Sequence, residues 1–310
     1  MNTSHSSFPI PHYSKWISRY TKLLAGLTFL LIIAGGLVTS TKSGLSVPDW
    51  PLSYGQFMPP MVGGIRYEHT HRMIASLVGL MTLILAIWIG FSESRKWLRW
   101  VTIAAFGAVV IQGILGGMTV LYLLPAPISI FHACLAQTFF TLVVSLAYFT
   151  SREWVSEVPL PKVPGSADQL TSEPGTFGSG TKRPLFMLIL LTYLQLILGA
   201  TVRHTANHYV LISHIISGFL VLIHALIVMS RIVKHHEGER KLIVPSIGLG
   251  AITLFQTTLG MGSFIYTVVL RQMVQPQSAK IFFVTAHQSL GALLLATAVF
   301  LYLRILRAEK

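Results

Sequence analysis

Residues 185–199, LFMLILLTYLQLILG, and residues 208–218, HYVLISHIISG, decide the fold. The first is an apolar run that closes on Gln195-Leu-Ile-Leu-Gly199, and the second opens another apolar run with His214 and, four residues on, Gly218. A stretch of about 20 apolar residues is long enough to cross a bilayer as a helix. The two segments therefore read as an antiparallel pair of membrane helices with a histidine near one end. The same five-residue word occurs as Gln112-Gly-Ile-Leu-Gly116 and Gln256-Thr-Thr-Leu-Gly260, with Leu31-Ile-Ile-Ala-Gly35 as a weaker copy. Each is followed by an apolar run that begins with a histidine and a small residue four positions later: His71 and Ala75, His132 and Ala136, His214 and Gly218, His287 and Gly291. The chain is thus one helical hairpin used four times.

Eight spans follow, at about 23–41, 69–91, 100–123, 129–149, 185–203, 209–230, 242–268 and 281–303. The expected fold is an all-α integral membrane protein whose eight transmembrane helices form two pseudo-symmetric four-helix bundles. Residues 1–150 are the N-terminal half and 185–310 the C-terminal half. Between them, 151–184 is rich in Pro, Gly, Ser and Thr and reads as a mobile cytoplasmic linker. The first apolar run is too long for a signal-peptide core and is expected to remain as a helix.

Composition agrees: 53% of the 310 residues are hydrophobic and 11% charged, more apolar than a soluble core requires. The net charge of +13 does not indicate nucleic acid, because the basic residues sit in short clusters between apolar runs. Seventeen of them (Lys15, Arg19 and Lys22; Arg95, Lys96 and Arg99; Arg152, Lys162, Lys182 and Arg183; Arg231, Lys234, Arg240 and Lys241; Arg304, Arg307 and Lys310) fall on one side. Only Lys42, Arg66, Arg72, Arg203, Arg271 and Lys280 fall on the other. By the positive-inside rule both termini are cytoplasmic and the protein is multi-pass in the cell (inner) membrane. The single cysteine, Cys134, excludes an intrachain disulfide and a thiolate metal site.

Because every even-numbered span starts at its outer end, His71, His132, His214 and His287 share one depth near the external face. A lone histidine in lipid is as often a helix–helix hydrogen bond as a ligand. Four at one repeat position, each with a small residue one turn below to admit a flat ring, favour ligation. Neutral imidazole suits iron, and bundle interiors are where facing side chains hold such a cofactor. Two histidines on opposite faces of a porphyrin give bis-imidazole haem iron. The repeat glycines are expected to serve close helix approach rather than cofactor contact.

Symmetry breaks at the residue three before each histidine, which is Glu68, Ser129, Leu211 and Val284. Glu68 and His71 share a helix face, and no other acidic residue is expected in or at the mouth of a span. The first half is therefore expected to handle protons and the second to store electrons. The bland alternative for Glu68 is an ion pair with Arg72 or Arg66. His204, His208 and Arg203 read as solvated residues at the outer mouth of the third hairpin, with contact to a haem propionate as the alternative. His224 reads as packing, His235 and His236 as cytoplasmic, and His69 as facing away from His71. The external segment 42–67, with Pro48, Trp50, Pro51, Pro59 and Pro60, reads as a compact cap.

The words Gly35-Gly-Leu-Val-Thr-Ser-Thr-Lys-Ser-Gly44, Val47-Pro-Asp-Trp-Pro51 and Glu68-His-Thr-His-Arg72 resemble the haem A synthase family, and the resemblance runs over nearly the whole chain. It implies oxidation of a methyl substituent of haem O, in successive steps, to the formyl group of haem A used by cytochrome oxidase. By position it implies haem b as cofactor on His214 and His287, His71 and His132 bracketing the iron of the substrate haem O, and Glu68 as the essential carboxylate. It further implies haem O synthase, cytochrome oxidase assembly factors and an electron-transfer partner, with membrane lipid around the chain and no nucleic acid; a homo-oligomer is left open. Some family members carry a cysteine pair in the first outer loop, and residues 42–67 have none. The competing reading is a bis-histidine membrane cytochrome b relaying electrons from quinol, which has no use for a carboxylate in one half only. A transporter would gather its polar residues at the midplane, and a haem prenyltransferase would need aspartate-rich motifs that are missing.

Overall fold

The computed structural model describes residues 13–156 and 179–308. Within them the α-helices are α1 (Lys15–Ser40), α2 (Ile65–Ser92), α3 (Lys96–Leu121), α4 (Ala126–Phe149), α5 (Arg152–Ser156), α6 (Ser179–Thr205), α7 (His208–His235), α8 (Arg240–Phe264) and α9 (Gln277–Ala308). Eight are long and apolar enough to cross a membrane; α5 is a single short turn. The eight expected spans are all present; each helix starts before the apolar stretch that announced it, while α1 and α3 stop one and two residues short of its end and α8 reaches its end through a π-helical turn. Of the expected linker 151–184, Arg152–Ser156 forms α5 and 179–184 open α6. The remainder lies outside the described residues.

Helices suit this sequence because a helix satisfies its own backbone in lipid. The many Ser and Thr inside the spans do likewise: Thr28, Thr82, Thr102 and Thr253 each donate to the carbonyl four residues back at 2.7–2.8 Å. Ends are marked locally. Ser14 Oγ accepts from the Ile17 amide at the start of α1. Asn207 Oδ1 accepts from the Tyr209 and Val210 amides to cap α7. Gly238 takes a positive φ of 88° between α7 and α8, where a side chain would be strained.

Helices α1–α4 close into one ring, each packed on its sequence neighbour and α4 on α1; α6–α9 form a second ring in the same order. The rings meet where α9 packs on α1 and α4, and where α4 packs on α6. Each ring is tightly filled near the end that carries the basic clusters. Leu24, Leu85, Ile89, Leu98, Val143 and Leu146 fill the first, and Leu185, Leu188, Ile232, Leu249, Leu301 and Ile305 the second. Ile32, Phe140, Ala292 and Ala296 fill the seam. The histidines occupy the opposite end.

At the basic end, ion pairs join the elements. Arg304 meets Glu153 at 2.6 Å, and Arg307 lies over the Trp154 ring and donates to its carbonyl, so α5 ties the first half to α9. Glu93 corrects the expectation that no acid but Glu68 sits at the mouth of a span. It is buried just past α2 and paired with Arg95 at 2.7 Å. Burial pushes its carboxyl up, but the Arg95 bonds prevail and hold it below its usual range.

Candidate functional site

The four repeat glycines are seats for the four histidines. A Cβ built on Gly35 would lie 3.1 Å from His71 Cε1, and one on Gly116 3.1 Å from His132 Cε1. On Gly199 it would lie 2.9 Å from His214 Cε1, and on Gly260 2.8 Å from His287 Cε1. Each imidazole therefore meets the preceding helix through its Cε1 edge, at a spot where a side chain in place of the glycine would crowd the ring. Close helix approach is the expected role, but its beneficiary is the ring. The small residues after the histidines have a different use from the one expected. Gly218 faces Gln195 Nε2 at 3.0 Å and Gly291 faces Gln256 Nε2 at 3.1 Å, measured from the Cβ position, so they admit the glutamine that opens the repeat word.

That glutamine position also orients the ring. His287 Nδ1 is 3.1 Å from the Gln256 carbonyl. Since a carbonyl only accepts, Nδ1 carries the proton and Nε2 keeps its lone pair for a metal. The other imidazoles approach the equivalent carbonyls of Leu31, Gln112 and Gln195. Their Nδ1 atoms are buried without a full hydrogen bond. The Gln112 and Gln195 amides donate to the carbonyls of His132 and His214 at 2.9 and 2.8 Å, latching helix to helix at the histidine itself. Ser217 donates to Gln195 Oε1 and fixes that amide.

In the second half the His214 and His287 rings are 6.1 Å apart, centre to centre, and nearly perpendicular at 86°. Two imidazoles on opposite sides of one metal, each with a bond of about 2 Å and a further ~1 Å to its ring centre, span about 6 Å. The pair fits a bis-imidazole iron. Phe283, one turn before His287, packs on Gly262 of α8 and stacks on Tyr266 at 5.4 Å. Tyr266 belongs to a π-helical turn, Ile265–Val269, that continues α8, a feature common beside functional sites. In the first half His71 and His132 lie within electrostatic reach of each other.

The first half adds a clamp on the segment between α1 and α2. Glu68 is buried, its Oε1 2.7 Å from Arg72 Nη2 and its Oε2 accepting from the Val47 amide at 2.9 Å. Arg72 also donates to the carbonyls of Val47, Asp49 and Leu52. His69, expected merely to face away, is buried with Nδ1 2.8 Å from Ser53 Oγ. Trp50 lies on Gly117, where a Cβ would be 2.7 Å from its ring. Consecutive glycines of α3 thus seat His132 and the loop tryptophan. Of the two arginines offered as partners for Glu68, Arg72 takes the role. Arg66 lies over the Tyr67 ring instead.

Arg203 corrects another expectation. It stands in the last turn of α6, not in a solvated loop, with its Nε buried and unpartnered and its Nη2 3.1 Å from Ser40 Oγ of α1. Its neighbour His204 is half-buried and within electrostatic reach of His132, whereas His208 is exposed. His224 bonds the Pro184 carbonyl at 2.8 Å, consistent with packing. His236 is buried near Glu239.

The fold and site define a multi-pass membrane protein that presents two pairs of histidines between helices, each ring on its own glycine. The sequence profile of the cytochrome oxidase assembly protein family matches residues 18–63 and 65–216, and this chain belongs to that family. The matched part holds His71, His132 and His214. Among curated relatives, the haem A synthase of Bacillus pumilus is 25% identical over 253 residues, 74% of this chain and 79% of the relative. That of Symbiobacterium thermophilum is 30% identical over 181 residues, 56% and 55% of the two chains. That of Geobacillus kaustophilus is 36% identical over 114 residues, 35% and 34%.

Proposed function

We propose that the chain is a haem A synthase, oxidising a methyl group of haem O to the formyl group of haem A for cytochrome oxidase. The observation that carries this reading is the joint one of four seated histidines and a single intramembrane carboxylate beside one pair. Family membership and the shared name of the curated relatives support it. Haem b is the resident cofactor, on His214 and His287; His71 and His132 bracket the substrate. The bound iron supplies the redox chemistry of the reaction and the site of electron storage.

The residues of the chain do the rest. The glycine seats and the glutamine-word carbonyls hold each imidazole with Nε2 toward the ligand, so the bound geometry is set before binding. The clamped segment 47–53, with Trp50 laid on Gly117 next to the His132 seat, shields the first site from bulk water. With a water admitted to the site as the oxygen source, oxidation of the methyl group through the alcohol to the aldehyde (R–CH3 + H2O → R–CHO + 4 H+ + 4 e−) releases protons as well as electrons. Glu68, one helical turn from His71, accepts them. Its two oxygens accept from Arg72 and from the Val47 amide, with the Ser46 amide also directed at the carboxylate. The basic end faces the cytoplasm of the cell membrane. Haem O arrives from haem O synthase, haem A leaves to assembly factors, and a separate partner takes the electrons.

Glu68→Gln tests the assignment. Gln keeps the size and can still accept from Val47, but carries no charge for Arg72 and no exchangeable acid proton. Cells expressing the variant are expected to accumulate haem O or the alcohol, with no haem A on chromatography and the haem b spectrum intact. Haem A at near wild-type yield would make Glu68 purely the pin of the outer loop. Chromatography of the extracted pigments also separates the enzyme from an electron-relay cytochrome b, which would hold the same resident haem in both halves and neither haem O nor haem A.

A further inference from the structure

Among the described residues, Arg203 is a half-buried cation with no countercharge beside it. The other half-buried arginines that reach acids do so closely: Arg72 on Glu68, Arg95 on Glu93 and Arg304 on Glu153. Among the described residues no carboxylate lies within 4 Å of Arg203. Its one bonded neighbour is the Ser40 hydroxyl, itself 2.9 Å from Thr285 Oγ1, and its Nε is buried with nothing to donate to. Leaving a guanidinium out of water in this state is costly unless an anion joins it.

Its position says which anion. Arg203 follows Gly199 by four residues, so it lies on the same face of α6 one turn beyond the seat of His214. It is also within electrostatic reach of His287. Both histidines of the second pair are therefore beneath it, and the free donor sits at the outer rim of whatever they bind. The equivalent positions in the other hairpins are Thr39, Val120 and Phe264, so the cation is peculiar to this site.

We propose that Arg203 is the anion-binding residue of the second site, pairing with a carboxylate of the macrocycle held between His214 and His287, with Ser40 and Thr285 holding the guanidinium across the seam between the two halves. This rests on the haem reading of that histidine pair. Arginine suits the task because its planar fork donates to both oxygens of a carboxylate.

The test uses the full chain carrying His132→Ala, purified free of haem, so that only His214 and His287 can supply two imidazoles. It is titrated with iron protoporphyrin IX and with its dimethyl ester, which lacks both carboxylates. The acid is expected to bind roughly tenfold tighter than the ester, the scale of one charge-assisted hydrogen bond. Arg203→Gln should erase most of that preference while leaving ester binding unchanged, and Arg203→Lys should restore part of it. The midpoint potential of the bound haem should fall in Arg203→Gln. Equal binding of acid and ester by the parent, or an undiminished preference in Arg203→Gln, would overturn the proposal. If neither macrocycle gives a six-coordinate low-spin spectrum in the parent, the histidine assignment falls and takes this proposal with it.

Discussion

Beside His71 and His132 the first half places an acid, and beside His214 and His287 the second places a base. Both halves build the ring seat identically, from a glycine four residues after a carbonyl that faces the imidazole. They then diverge. Glu68 is bound by Arg72 and by a loop amide, so the first site is tied to the segment between α1 and α2. Arg203 is bound across the seam to α1, so the second is tied to the body of the protein. A site that must admit and release a substrate benefits from a removable cover, and a site that retains a cofactor from a rigid wall. On the proposed function, the repeat supplies the ligands and departures from the repeat supply the division of labour.

The comparison breaks most visibly at the histidines. On the proposed assignment, His214→Ala or His287→Ala is expected to give an assembled protein that has lost its low-spin haem b entirely, because either change removes one of the two imidazoles that would hold it. His71→Ala should keep that spectrum and lose haem A formation. The absorption spectrum and pigment content of the purified variants decide it. Full haem b in both second-half variants would undo the assignment of the halves.

Much of this was legible from the residues. All eight spans, their hairpin repeat and the histidine positions come from hydropathy and spacing, since a membrane demands long apolar helices whatever their neighbours. Less legible was what depends on how helices are rotated against each other. The repeat glycines announce close approach, but that Gly35, Gly116, Gly199 and Gly260 receive imidazoles depends on the facing helix. The constant four-residue offset from Gln to Gly was the available signal. Arg203 looked solvated because two polar residues and a short loop follow it, and only the packing of α6 against the other half buries it. Glu93 looked like a loop acid for the same reason.

A smaller effect comes from filling the seats. Gly260→Ala places a methyl 2.8 Å from His287 Cε1, closer than the ring tolerates without moving, whereas the same change at Gly35 or Gly116 places it at 3.1 Å. Overpacking of this kind costs about 1–3 kcal/mol. Gly260→Ala and Gly199→Ala are expected to convert part of the haem b to a high-spin form and to speed its loss. Gly35→Ala should lower haem A yield severalfold without touching haem b. Equal, negligible effects at all four glycines would mean that the seats yield and the rings are oriented by the carbonyls alone.

The smallest expected effect concerns the cover of the first site. Asp49 accepts from the Tyr54 amide at 2.7 Å and the Gly55 amide at 2.8 Å, folding 49–55 into a tight turn under Trp50. The Gly55 amide, aided by the Tyr54 amide and the nearby Arg72 and opposed by partial desolvation, holds the Asp49 carboxyl below its ordinary value. A depressed carboxylate stabilises the folded turn at pH above its unfolded value, and that contribution fades as pH falls through the folded one. Above about pH 5, therefore, the turn should be fully formed, and it should loosen only in stronger acid. Asn has one acceptor oxygen where Asp has two, so Asp49→Asn gives up one of the two amide bonds at every pH. Hydrogen exchange at residues 50–56, corrected for its intrinsic pH dependence, should be a few-fold faster in Asp49→Asn at neutral pH. The gap should close in strong acid, while the amides of α6–α9 stay the same in both proteins. A gap that persists unchanged into strong acid would show that the turn is held by Arg72 and its three carbonyls, and that the Asp49 charge contributes nothing to the cover.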